Sequence, residues 1–205
     1  MTTQFEVLDW RTDSRNVVWL SDYYLGGILF THLHVHTEYS MLDGLAKLEP
    51  LVDRASELGM KSLAITDHGG LYGAIDFYRL AKARGIKPII GCEMYVASGS
   101  RFDRNPSDKI HHLTVLAKDM TGYKNLVKLV TASHLEGYYK KPRIDRDLIE
   151  KHNQGLAVLS GCPSGEVPSL LNQGRYDEAR ATAEWYKEAF GSYFLEIMDH
   201  GKVPG

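Results

Sequence analysis

From about residue 28 onward, short apolar runs alternate with stretches in which apolar residues recur every three or four positions. A short apolar run bounded by glycine, proline or acidic residues reads as a buried strand, and the recurrence near 3.6 reads as a helix with one buried stripe. Candidate strands are Ile28–His34, Ser62–Thr66, Pro88–Val96, Leu113–Ala117, Leu156–Ser160 and Tyr193–Ile197. Between the first two, Leu48, Leu51, Val52, Ala55 and Leu58 mark one face of a helix over Leu45–Leu58, which Gly59 stops in the manner of a C-cap. Similar stripes run over Tyr72–Ala83 before Gly85, Tyr123–His134 before Gly137 and Tyr176–Phe190 before Gly191. This alternation predicts an α/β fold of parallel strands joined by crossover helices, either an open sheet or a barrel.

Three segments fall outside the pattern. Residues 1–27 show no clear periodicity and are left as an unassigned N-terminal extension. Residues 98–110 read as a flexible polar loop. Residues 137–147 read as a second loop, basic through Lys140, Lys141, Arg143 and Arg146, with Tyr138 and Tyr139 alongside. Such a loop is either a solvated excursion or a patch that tracks phosphates while its tyrosines stack on bases. On the second reading Tyr138, Lys140, Lys141 and Arg143 touch nucleic acid.

Composition narrows the setting. With 205 residues the chain is long enough to bury a core without disulfides or a structural metal, so a metal site here would be functional. A formal net charge of -2 provides no overall field for nucleic acid, and contact with phosphate must be local. The cysteines, Cys92 and Cys162, form neither a disulfide framework nor a zinc-finger spacing, which points to a reducing, cytoplasmic setting. Apolar runs are too short for a membrane helix, and Asp9, Arg11, Asp13 and Arg15 lie where a secretion signal would be apolar, so no membrane partner is expected.

Nine histidines stand out, and their placement carries the chemistry. In Thr31-His-Leu-His-Val-His-Thr37, His34 and His36 are two apart at a strand end, where side chains share a face and can grip one metal. His32, deeper in the strand, reads as a supporting or packing residue. Ile65-Thr-Asp-His-Gly-Gly70 ends another strand in an acid, an imidazole and two glycines. In βα-barrels strand ends converge on one face, which brings His68 to His34 and His36, with Asp67 placed to orient an imidazole. Gly91-Cys-Glu93, His111-His-Leu-Thr-Val115 and Ser160-Gly-Cys162 add Glu93, His112 and Cys162 from later strands. Singly each has a bland explanation; together they argue for one polynuclear site.

These runs, with His111-His-Leu-Thr-Val-Leu-Ala117, resemble the polymerase and histidinol phosphatase (PHP) domain, a distorted (β/α)7 barrel. The runs His36–Gly44, Gly85–Glu93 and Phe194–Gly201 are similar to the branch of that family found at the N-terminus of bacterial replicative DNA polymerase III alpha subunits. The resemblance covers residues 28 to 201 and implies a PHP domain over 28–205, incomplete at its C-terminus. It implies His34, His36, Asp43, His68, Glu93, His112 and Cys162 as ligands of two or three divalent ions, zinc, manganese or iron. The family also supplies an Asp-x-His pair after the next strand, which this chain ends before; Asp199-His200 is adjacent rather than spaced. A barrel short of its last unit would hold metal weakly, hydrolyse feebly and leave the sixth predicted strand with an open edge.

The activity implied is metal-dependent phosphodiester hydrolysis with no protein nucleophile, most specifically 3′→5′ exonuclease proofreading in DNA replication. DNA, the remaining polymerase domains and other replisome subunits are the implied partners. Two further readings belong to other classes: a metal-binding scaffold for the polymerase, and a free-standing phosphatase acting on a small substrate such as histidinol phosphate.

Overall fold

The computed structural model of the chain describes residues 4–8, 30–41 and 43–199. Apart from strand β1 (Gln4–Leu8), the extension over 1–27 lies outside the described residues, as do residues 28 and 29 of the first predicted strand and residues 200–205. Among the described residues eight strands form one mixed sheet flanked by six helices, and the sheet curls part-way into a barrel, which bears out the α/β barrel class.

Helix α1 (Leu48–Glu57) buries Leu48, Val52 and Ala55 and ends where the apolar pattern places its stop. Gly59 takes φ +73 there, with its N–H bonded to the Ser56 carbonyl and that of Met60 to the Ala55 carbonyl. That pair of bonds is a Schellman cap. Strand β2 (Ser62–Ile65) follows, then α2 (Ala74–Ala83), β3 (Lys87–Ala97) and β4 (Ile110–Ala117). Helix α3 (Met120–Leu135) is capped by Asp119, whose side chain accepts the Gly122 N–H. Beyond it lie β5 (Tyr138–Tyr139), β6 (Lys141–Ile144), α4 (Arg146–His152), β7 (Leu156–Leu159), α5 (Glu166–Asn172), α6 (Tyr176–Phe190) and β8 (Tyr193–Asp199).

Strand direction departs from the uniform parallel expectation. The β2–β3, β3–β6 and β7–β8 pairs are parallel, whereas β4 runs antiparallel to both β3 and β7, and β1 runs antiparallel to β8. The polar link from β3 to β4 contains no helix, so it can return the chain only as a hairpin; parallel neighbours need a longer crossover. The predicted open edge of β8 is paired with β1.

Three further segments differ from expectation. Residues 30–36 are not a regular strand: Ala64 N–H bonds to the His32 carbonyl and Thr66 N–H to the Val35 carbonyl, an advance of two residues on β2 against three on the partner. One extra residue is accommodated as in a bulge, a device that re-aims side chains. The second loop contains the β5–β6 hairpin, with Lys140 at φ 63 in its turn. The 98–110 loop is tied down by Arg101, whose guanidinium pairs with Asp145 at 3.0 Å and Glu136 at 2.7 Å.

Register decides which side chains reach the site. On β3, Glu93 and Tyr95 pair with Thr114 and His112 of β4, so these four share one face of the sheet. Cys92, one residue away, points to the opposite face and is fully buried in the main core with Val115, Leu126 and Val158.

Candidate metal centre

Glu93 is the centre of the site. Its side chain is 1% exposed, and four imidazoles converge on it from three segments. His112 Nδ1 lies 2.9 Å from Oε1; His68 Nδ1, His36 Nε2 and His34 Nε2 lie 2.9, 3.1 and 3.7 Å from Oε2. Local hydrogen bonds explain how each ring arrives. The loop after β2 keeps pairing with β3, through Gly69 N–H to the Glu93 carbonyl and Glu93 N–H to the Asp67 carbonyl, which lays His68 beside Glu93. His112 N–H donates to the Ser164 carbonyl, drawing in the turn that carries Cys162. Cys162 Sγ stands 3.4 Å from His112 Nδ1 and 3.5 Å from Glu93 Oε1.

The turn bearing His36 and Asp43 is held by Asp67. Its carboxylate accepts from the Thr37 N–H, Thr37 Oγ1 and Ser40 Oγ at 2.7 to 2.8 Å. Gly44 closes the turn against the Thr37 carbonyl, where an added Cβ would lie 1.7 Å from the oxygen. Asp43 then reaches His68 Nε2 at 2.9 Å. Asp67, expected to orient an imidazole, reaches one through Ser40. Having given its only proton to Asp67, the Ser40 hydroxyl can only accept from His36 Nδ1, 3.1 Å away. His36 therefore keeps an N–H on Nδ1 and directs Nε2 toward Glu93.

The same logic fixes His34 and reveals a residue the sequence reading missed. Glu196 on β8 accepts from His34 Nδ1 at 2.8 Å, so His34 also presents Nε2 to the site. Ser160 Oγ, in turn, accepts the Glu196 N–H. A glutamate inside the apolar run Tyr193–Ile197 was the available signal, because a buried carboxylate needs a partner. His32 lines the cavity and packs edge-on against Phe30 at 4.7 Å.

Charge follows from this geometry. Burial opposes ionisation of Glu93, yet His112, His34, His36 and His68 hold its carboxyl far below the usual carboxylate range. Burial likewise disfavours charge on His34, but Glu196 and Glu93 raise it to about 10; on His112, Cys162 and Glu93 overcome burial and raise it to about 9. Against burial, Glu93 and Asp43 also raise His68, and His68 lowers Asp43. Cys92 is pushed up by burial and is inert core.

Whether the donor set fits a cation is answered by two orphaned atoms. His68 Nδ1 and Glu93 Oε2 are buried and close, but they lack hydrogen-bond alignment and neither has another hydrogen-bond partner. A shared cation would satisfy both. Three triads bring one ligand atom each within 4.8 Å of the others: His34–His36–Glu93, His36–Asp43–His68 and His68–Glu93–His112. Six of the seven expected ligands are thus brought together, and Cys162 flanks the third triad without joining it. The ligand atoms face a cavity of about 720 Å³.

The expected nucleic-acid residues divide. Tyr138, Lys140 and Lys141 line a second cleft beside the site. Arg143 does not: it is 1% exposed, and its guanidinium donates to the carbonyls of Gly137, Arg101 and Asp103. Its assignment as a phosphate contact is withdrawn, since a buried guanidinium spent on carbonyls cannot meet a backbone. Arg146 turns away to lie over Trp185 and pair with Glu166.

Residues 32–200 match the PHP domain family. The chain is 50% identical over 177 residues to the DNA polymerase III subunit alpha of Treponema pallidum and 50% identical over 179 residues to that of Thermus aquaticus. Each comparison covers 84% of this chain and 15% of the relative, so the chain spans about a seventh of the subunits it matches. Among solved structures, a Bifidobacterium adolescentis protein named as a candidate metal-dependent phosphoesterase aligns at a TM-score of 0.37 and 20% identity, over 50% of this chain and 32% of its own. No described helix is long and apolar enough to cross a membrane.

Proposed function

The chain belongs to the PHP domain family, and on that footing we propose that it is a divalent-metal-dependent phosphoesterase acting on DNA as part of a cytoplasmic replicative polymerase, with 3′→5′ exonuclease proofreading as its reaction. The observation that carries this reading is the convergence of four imidazoles on one buried carboxylate, with a ring nitrogen and a carboxylate oxygen left without hydrogen bonds. His34, His36, Asp43, His68, Glu93 and His112 would hold two or three ions, and Cys162 stands beside them as a further sulfur donor. Bound cations there would supply the charge that neutralises a phosphodiester and activates water.

The protein's own residues prepare that chemistry. Glu196 and Ser40 each face Nδ1 of a ring, His34 and His36 respectively, so that each Nε2 is directed at the site and offers its lone pair there once its proton is shed. Asp67 holds the turn that carries His36 and Asp43 in place before any ion arrives. Such supporting partners are typically worth 10- to 100-fold in metal affinity. Glu196→Gln is therefore expected to weaken metal binding by about 10- to 100-fold with the fold retained, as read by competition against a chromogenic chelator. Native affinity in that variant would show that Glu196 does not orient His34.

The direct test is metal removal. Chelation should abolish hydrolysis of bis(p-nitrophenyl) phosphate, and added manganese or zinc should restore it. In the same samples an alkylating reagent should label Cys162 faster after chelation, while buried Cys92 stays unreactive. Hydrolysis indifferent to chelation, or metal-loaded protein with none, would overturn the reading; equal labelling of Cys162 in both states would remove the thiol from the site.

A further inference from the structure

A second cleft, of about 630 Å³, opens beside the ligand cluster and shares Asp43, His68 and His112 with it. Its walls are aromatic. Tyr39, Tyr72 and Tyr138 are 37%, 65% and 58% exposed, so packing in the core does not account for rings at these positions. Buried Tyr95 forms the floor, stacked on His68 at 5.9 Å and edge-on to His112 at 5.1 Å.

The exposed rings are seated on glycine. A Cβ added at Gly70 would come within 2.4 Å of Tyr72 Cε2, and one at Gly73 within 2.7 Å of Tyr39 Cδ2. The segment just after His68 thus leaves room for both rings to lie close against the backbone. Two ammonium groups complete the wall. Lys140 donates to the Pro106 carbonyl at 3.0 Å, Lys141 lies 5.1 Å from the Tyr95 ring centre, and neither pairs with a carboxylate among the described residues. Their charge is available to an anion.

Exposed π faces beside uncompensated cations match a nucleic-acid strand whose bases are free, because stacking needs base faces that a duplex keeps covered. We propose that this cleft is the strand subsite of the phosphoesterase, where unpaired bases stack on Tyr72 and Tyr39 and backbone phosphates meet Lys140 and Lys141. The strand end is thereby led toward Glu93 and the imidazoles. This rests on the phosphoesterase reading and adds to it what holds the substrate. Base identity should matter little, since every base offers a π face.

The test is binding of a fluorescein-labelled ten-residue deoxythymidine strand to the chelated protein, by anisotropy, against the same strand with abasic spacers. The native protein should bind the thymidine strand at least about 5-fold more tightly than the abasic one. Tyr72→Ala should weaken thymidine binding by about 5- to 100-fold and leave abasic binding unchanged, whereas Tyr72→Phe should behave as native. Equal binding of the two strands by native protein overturns the subsite whether or not any variant folds, as does an equal loss of both in Tyr72→Ala. Hydrolysis of bis(p-nitrophenyl) phosphate by the native protein is read separately. Hydrolysis with base-indifferent binding overturns the subsite alone, and base-dependent binding without hydrolysis supports the subsite while overturning the chemistry.

Discussion

Glu93→Gln should lower metal affinity by more than about 100-fold and abolish phosphoesterase activity, the largest single-residue effect expected in this protein. The exchange preserves volume and removes only the charge, at a side chain 1% exposed that takes part in two of the three triads. No neighbour can replace it. His112, His68, His36 and His34 all lean on its two oxygens, so losing it would leave rings without a shared counter-charge. The contrast is Asp43→Asn, where the carboxyl is 55% exposed and belongs to one triad; a loss of about 10-fold is expected there. Elemental analysis after dialysis checks both. A Glu93→Gln protein that retains native metal content would show that the imidazoles hold metal without the carboxylate, and the central role given to Glu93 would fall.

The residues that gather around Glu93 were readable because they sit where short apolar runs end, and strand ends converge in a barrel. His34, His36, His68, Glu93 and His112 could be selected from residue type and position alone. What orients them could not. Glu196 stands in the middle of an apolar run, and only tertiary structure shows that its carboxylate meets a ring far earlier in the chain. Arg143 shows the opposite error, since a basic loop looks like a surface patch until its guanidinium is seen donating to three carbonyls.

Fold features divided along the same line. Long stripes located α1, α2, α3 and α6, because each buries one face against the sheet. The seven-residue helices α4 and α5 are too short for a stripe, and Pro168 lies in the first turn of α5. Hairpin β5–β6 hides behind Pro142 and a lysine at positive φ. Strand direction leaves no mark on hydrophobicity at all. It was nevertheless legible at one point, since a polar link without a helix between β3 and β4 already argues against a parallel crossover.

Electrostatics inside the cluster predicts opposite pH trends for the metal-free and metal-loaded protein. In the metal-free fold His34 is raised to about 10 and His112 to about 9, against an ordinary histidine value near 6.5 in the unfolded chain. Below that ordinary value both states are protonated and the stabilisation is fully present. As pH rises the unfolded chain releases its protons first, so stability declines until pH passes the folded values. Between pH 7 and 9 the metal-free protein should lose on the order of 3 kcal/mol, or about 10 °C in melting temperature for a chain of this size. Metal binding runs the other way, because each ligand must shed its proton before it can donate a lone pair. The gap between metal-loaded and metal-free melting temperatures should therefore widen across this interval. Glu93→Gln should flatten the metal-free curve in part, by removing the carboxylate the two histidines share while leaving Glu196 beside His34 and Cys162 beside His112. Differential scanning calorimetry at matched ionic strength checks the pair of trends. A metal-free melting temperature that is level or rising from pH 7 to 9 would mean that the imidazoles around Glu93 are neutral without metal, and the ion-paired description of the cluster would be wrong.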